Sequence, residues 1–322
     1  MDTIALAQIT DKLKDELVRR RPTARAAIIG HTSAAFDLIK FFVAMGAQQQ
    51  LLGVYADGGT AQSDSPSYEP RPLSKLMEDA PDLVLIASDA DKESLLMAAL
   101  PYLTSQTQVL IGGFRHFAFR DELFDREVGN VFVPSFANGY PNSLIHIYQC
   151  LKNAARMNLN GVVAEFGMFK GGTTMLMSRF IEALDRNWKV YGFDTFDGFP
   201  PPRSPLDMYA HPDCVYLDLA TVRRYFEGRN VEVVSGDLVE TAQVLAGEDI
   251  LLAFVDTDNY SSARRVLEVI ADRVVIGGAI VFDHFTGRDR FLYTLGERIA
   301  AKQLLDPRYF NLHDTGVFLR LR

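Results

Sequence analysis

Val162-Val-Ala-Glu165-Phe-Gly167-Met-Phe-Lys-Gly171-Gly172-Thr173-Thr174 is the stretch on which the fold turns. A short apolar run leads through a glycine-rich turn straight into a helical pattern that extends to Leu184. Strand, turn and helix in that order are the repeating unit of a parallel α/β architecture. Glycines at such a turn let the backbone come close to a ligand and aim amide N–H groups at it. The same residues would also serve a plain strand-to-helix connection, so the turn alone does not decide function.

Working outward, the same alternation continues to the end of the chain. Apolar strands are expected at Val190 to Asp194, Val231 to Val234, Ile250 to Asp256 and Ala279 to Asp283. Helices fit between them at Thr221 to Phe226, Val239 to Leu245 and Ser261 to Ala271, with a last one at Asp289 to Leu304. Two terminal runs, Tyr309 to Leu312 and Gly316 to Leu321, read as a hairpin turning at Asp314 and Gly316. Upstream, Ser143 to Asn158 reads as a helix feeding the first strand. The pattern predicts five parallel strands closed by an antiparallel hairpin, the plan of a class I methyltransferase.

The first part of the chain predicts a smaller doubly wound unit. Its strands are expected at Ala26 to Gly30, Leu51 to Tyr55, Asp82 to Ser88 and Val109 to Gly112. Helices are expected at His31 to Met45, Leu73 to Asp79 and Lys92 to Tyr102, with a polar loop at Asp57 to Pro72. Arg115 to Phe136 shows no clear periodicity and is read as the junction. The expected domains are 1–128, an auxiliary Rossmann-like unit, and 129–322, which carries cofactor and chemistry. The turn Gly30-His-Thr-Ser-Ala-Ala lacks the later glycines of a dinucleotide fingerprint, so a cofactor-free role in substrate gating or assembly is the expectation there.

Composition narrows the partners. With 322 residues, 48% hydrophobic and 23% charged, the chain suits two globular domains. A net charge of −8 speaks against a nucleic-acid partner and against a basic membrane-binding face. Two cysteines, Cys150 and Cys214, make neither a disulfide framework nor a zinc spacing. Met1 to Arg21 reads as an amphipathic helix, not a signal peptide, and no run is long enough to span a bilayer. The expectation is a cytoplasmic protein acting on a small molecule, without nucleic-acid or membrane partners, and assembled as a homo-oligomer.

In an open parallel sheet, ligands bind beyond the carboxyl ends of the strands, where strand order reverses. Asp194 ends the second C-terminal strand and is placed to accept both hydroxyls of a ribose. Asp237, in Ser235-Gly236-Asp237, puts a further acid in the same crevice, suited to an adenine amine. The next two strands end in Asp256-Thr-Asp258 and in Asp283-His284. Carboxylates emerging together from apolar runs are costly unless paired or bound to a metal, and oxygen-rich clusters suit magnesium. Capping and loop hydrogen bonds are the plainer alternative. The segment Pro200 to Asp213 reads as a lid or as a structured loop.

Glu165 to Thr174, the segment around Asp194, Gly236-Asp237, the segment around Asp256 and Asp258, and Gly277 to Asp283 together resemble the macrocin O-methyltransferase family. The resemblance covers about Gly139 to Phe285. It implies S-adenosylmethionine as cofactor, a divalent metal, normally Mg²⁺, and hydroxyls of antibiotic sugars or related natural products as acceptors. On this resemblance Glu165 and Gly167 face the methionine end of the cofactor, Asp194 the ribose and Asp237 the adenine. Gly171, Gly172, Thr173, Thr195 and Ser143 complete the expected cofactor set. Asp256 and Asp283 are the implied metal ligands and Asp258 the implied base. Similar family members carry two consecutive acids where this chain has Asp283-His284, so His284 is expected as a third ligand or as the base. The rival readings are metal-independent N- or C-methylation on the same fold, a nucleotide-binding regulatory protein, and a dinucleotide oxidoreductase.

Overall fold

The computed structural model describes residues 3–57, 69–137, 142–286 and 292–322. Most of the expected loop at 57–72, Gly139 and the expected helix start at Asp289 lie outside them. The chain divides into two compact units, Met1–Phe119 and Arg120–Arg322.

The first unit runs α1 (Thr3–Asp15), β1 (Ala26–Ile29), α2 (Ser33–Ala44), β2 (Leu51–Tyr55), α3 (Leu76–Asp79), β3 (Leu83–Ile86), α4 (Lys92–Ala99) and β4 (Gln108–Leu110). Its strands form a parallel sheet in the order β2-β1-β3-β4. Both faces are covered, so β1 and β3 are buried at every position and read as unbroken apolar runs. At the strand ends the Lys92 ammonium is buried, pairing with Asp89 at 2.8 Å and donating to the Gly112 and Gly113 carbonyls. These interactions offset the cost of burying its charge.

The second unit runs α5 (Glu122–Val128), α6 (Ser143–Arg156), β5 (Val162–Phe166), α7 (Gly172–Ala183), β6 (Val190–Asp194), α8 (Leu219–Tyr225), β7 (Val231–Ser235), α9 (Leu238–Thr241), β8 (Ile250–Val255), α10 (Tyr260–Ile270), β9 (Val274–Phe282), α11 (Leu295–Leu304), β10 (Tyr309–Asn311) and β11 (Val317–Arg320). The sheet order is β10-β11-β9-β8-β5-β6-β7. Strands β5 to β9 pair in parallel and β11 returns antiparallel beside β9, as the alternation and the terminal hairpin predict. Order reverses between β5 and β8, which places the ligand crevice at their carboxyl ends.

Packing follows the sequence period. Helix α10 buries Ala263, Val266, Leu267 and Ile270, one face at the spacing of an amphipathic helix. The hairpin brings Phe318 edge-on to Phe282 and Phe285, with ring centroids 5.6 and 5.0 Å away. No helix of the described residues is long and apolar enough to cross a membrane.

Two local differences from the sequence reading have physical causes. Strand β9 begins at Val274, five residues before the expected start. Its register against β8 slips between Ile250 and Leu252, with Gly277 at φ +87° opposite the slip. The glycine pair thus marks an irregularity inside the strand, where periodicity suggested its edge. Helix α5 lies within the stretch read as aperiodic. It is short, but Asp121 caps it, accepting from the Leu123 and Phe124 amides at 3.1 and 3.2 Å. Asp121 also takes a bond from the Tyr148 hydroxyl at 2.6 Å and pairs with Lys152. Burial opposes its ionisation, but Lys152 and Tyr148 prevail and hold the carboxyl down at about 2. These ties join α5 to α6 within the compact unit Arg120–Arg322.

Candidate active site

The site starts where β5 and β8 end. Gly167 follows β5 at φ +97°, and a Cβ there would meet the Asp256 carbonyl oxygen at 2.0 Å. Only glycine permits this approach of the two loops. The Asp256 amide in turn donates to the Phe166 carbonyl at 2.9 Å, locking the exits together.

Asp194 ends β6 between the same loops. Its two oxygens accept from the Phe169 and Phe196 amides, each at 2.8 Å. Both phenylalanines sit in the left-handed region, φ +50° and +60°, a conformation a bulky residue keeps only when held. The carboxylate therefore shapes the turns on either side and lines the cavity between them. Burial raises its pKa, against the pull of those amides. Thr195 turns its hydroxyl to the Gly198 carbonyl at 2.5 Å.

Across the crevice, His284 points Nε2 at three carboxylates: 3.0 Å from Asp258, 3.2 Å from Asp256 and 3.6 Å from Asp283. Burial works against the imidazolium, but Asp256 and Asp258 outweigh it and push its pKa up to about 12. Asp256 is itself raised well above the usual range, by burial and by Asp283, with His284 opposing. Donor atoms of Asp256, Asp258 and His284 all lie within 4.8 Å of one another. Two hard oxygens and an imidazole nitrogen converging in this way fit a divalent cation.

Both halves face one cavity of about 360 Å³, within the range of small-molecule sites. Gly167, Asp194, Thr195, Asp256, Asp258, Asp283 and His284 line it, as does Leu238, the first residue of α9. Phe199, Pro200, Tyr209 and Cys214 close another side, and Phe136 and Phe169, edge to face at 5.8 Å, form an aromatic wall.

Other predicted residues stand behind the cavity wall. Glu165 is buried and accepts from the Thr174 hydroxyl; burial pushes its carboxyl up to about 8. Gly171 and Gly172 open α7, and Thr173 bonds Ser135 at 2.7 Å. Ser143 donates to Asp283, orienting it. Asp237, read as an adenine partner, caps α9 through the Val239 amide at 2.9 Å and pairs with Arg203 at 2.7 Å. The end of β7 is also a helix start, and the cap claims the carboxylate.

The segment read as lid or loop is a structured loop tied at three points. Arg203 meets Asp237. Asp207 accepts from the Ser261 amide and hydroxyl, both at 2.7 Å. The Asn259 side chain exchanges two bonds with the Tyr209 backbone, 2.8 and 3.0 Å. Asn259, Asp207 and Glu297 were not singled out by sequence reading. Glu297 is fully buried on α11, and its carboxylate accepts from the Thr257, Asp258 and His284 amides. Burial raises its pKa to about 7. Its signal was a lone acid on the same helical face as Ala300 and Ala301.

The chain is similar to several known proteins. Mycinamicin III 3''-O-methyltransferase of Micromonospora griseorubida is 26% identical over 157 residues, 44% of this chain and 62% of that protein. Demethyldecarbamoylnovobiocin O-methyltransferase of Streptomyces niveus is 23% identical over 227 residues, 63% of this chain and 85% of that protein. Among solved structures, the O-methyltransferase NovP superposes with a TM-score of 0.48 at 22% identity, covering 56% of this chain and 79% of its own. The sequence profile of macrocin-O-methyltransferase (TylF) matches residues 126–320. That match spans more than half of the chain and takes in every strand-end residue of the cavity, so the chain belongs to the macrocin O-methyltransferase family.

Proposed function

We propose that the protein is an S-adenosylmethionine-dependent O-methyltransferase acting on a hydroxyl of a small glycoside or natural-product intermediate, with a divalent cation at the acid cluster. One observation carries this reading: a single cavity at the strand-order reversal presents Asp194 on one side and Asp256, Asp258, Asp283 and His284 on the other. A nucleoside-binding protein without chemistry has no need of the second group. The relatives named for mycinamicin III and demethyldecarbamoylnovobiocin support O-methylation of a natural product.

When bound, S-adenosylmethionine supplies an electrophilic methyl and the cation a Lewis acid that lowers the pKa of the acceptor hydroxyl. Asp194 accepts the ribose hydroxyls, and Gly167 lets the backbone close on the methionine side. Asp256 would hold the cation, and so would His284 once the cation displaces the proton its Nε2 shares with the carboxylates. Asp258 and Asp283 divide the remaining roles of third ligand and proton acceptor, with Asp258 the better base because Ser143 already engages Asp283. The loop from Phe199 to Cys214 and the Phe136–Phe169 pair confine the acceptor near the in-line geometry methyl transfer requires. The auxiliary unit, which we read as a cofactor-free Rossmann-like domain, serves substrate gating or assembly of a homo-oligomer.

The test is transfer of a labelled methyl group from S-adenosylmethionine to a panel of hydroxylated glycosides with Mg²⁺ or Mn²⁺ present. Chelator is expected to abolish transfer and added cation to restore it. Full transfer in excess chelator would contradict the metal, and labelling of amines but not hydroxyls would favour N-methylation on the same fold.

A further inference from the structure

Glu297 lies outside the cavity lining, yet all its recorded hydrogen bonds go to the two loops that carry the acid cluster. One carboxylate oxygen accepts from the Thr257 amide at 2.9 Å, the Thr257 hydroxyl at 3.1 Å and the Asp258 amide at 3.1 Å. The other accepts from the His284 amide at 3.2 Å. The first three donors belong to the exit of β8, the fourth to the exit of β9. Asp258 holds φ +60°, a left-handed conformation that a residue with a side chain keeps only under constraint.

We infer that Glu297 is a positioning residue: its carboxylate fixes the backbones of Asp258 and His284 relative to each other and so sets the geometry of the cation and base group. The inference rests on the reading above only in giving those two residues the chemistry. A fully buried acid is costly without partners, and helix α11 would be anchored more cheaply by an apolar residue at this place. Every partner recorded is instead a donor from Thr257, Asp258 or His284. The two oxygens divide between the loops, so one carboxylate spans the gap that the side chains of Asp258 and His284 cross at 3.0 Å on the cavity side.

The test is Glu297→Gln. Glutamine has the same shape but offers one acceptor oxygen, and its NH₂ would face an amide N–H, so one of the two ties is lost. The variant is expected to melt cooperatively and to bind S-adenosylhomocysteine as the parent does, since Asp194 and Gly167 are untouched. Its Mn²⁺ affinity is expected to fall by about 10–100-fold, the usual effect of removing a residue that orients ligands. Glu297→Asp, which keeps the charge on a shorter arm, is expected to fall between. In a crystal structure of Glu297→Gln the Asp258–His284 contact should be broken. Unchanged Mn²⁺ affinity with that contact intact would overturn the inference. If the variant does not fold, amide exchange in the parent decides: the Thr257, Asp258 and His284 amides should be protected and open together with α11, and fast exchange there would overturn the proposal. A parent protein that binds no Mn²⁺ would defeat the metal reading instead, and the contact in the variant's crystal structure would then judge the positioning role alone.

Discussion

Glu165 shows what a single residue can reveal about the site. It stands on β5, the central strand at the crevice, buried and bonded to Thr174. Burial lifts its carboxyl from 4.5 to about 8. Between those values the folded protein keeps a proton that the unfolded chain has released, so this group's contribution to stability declines as pH rises. Glu165→Gln keeps the shape and removes the titration. Thermal melts across that range are expected to show a flatter pH dependence in the variant, and an unchanged slope would clear Glu165 of the effect. Asp258→Asn is expected to behave differently, folding normally but losing a factor of about 10²–10⁴ in rate, the range for a lost general base. Stopped turnover with intact Mn²⁺ binding would confirm that role; loss of Mn²⁺ binding would make Asp258 a ligand and pass the proton to Asp283. The residues legible in sequence were those at strand ends, because topology alone delivers them to one crevice. Asp237 and Ser143 share that neighbourhood but take other partners, a helix cap and Asp283, which sequence spacing does not encode. Glu297 was illegible because its partners lie on two other loops. Helical spacing from Ala300 and Ala301 gives its face, but not what that face meets.

At the scale of elements, strands were easier to read than their edges. β5 and β8 are buried at every position because both faces are covered, so their largely apolar runs announce themselves. Helix α5 was missed because seven residues give barely two turns of pattern, and its stability comes from the Asp121 cap and the pairs Asp121–Lys152 and Glu127–Arg179. This bears on where the chain can be cut. A protein beginning at Arg120 keeps these ties and is expected to fold and bind S-adenosylhomocysteine like the full chain. One beginning at Asn130 loses them and leaves the half-buried Lys152 and Arg179 without these partners. Its melting temperature is expected to be lower while cofactor affinity is kept. A longer protein that folds yet binds no S-adenosylhomocysteine would mean that the first unit contributes to the site.

For the whole molecule, the acid cluster makes stability depend on what is bound. If a cation occupies the folded cluster and not the unfolded chain, as proposed, Mn²⁺ is expected to stabilise by about 2.7 kcal/mol at a hundredfold excess over its dissociation constant. Differential scanning calorimetry should show that rise in the parent and its loss in Asp256→Asn; a rise of equal size in the variant would move the cation elsewhere. In the proposed function one cavity seats S-adenosylmethionine with Asp194 at its ribose. Isothermal titration of S-adenosylhomocysteine into the parent and into Asp194→Ala tests it most directly. One site per chain is expected in the parent, with no binding of NAD and an affinity loss in the variant worth about 1.5–3 kcal/mol, the value of hydrogen bonds to a charged group. Equal affinity in both proteins, or no binding by the parent, would contradict it.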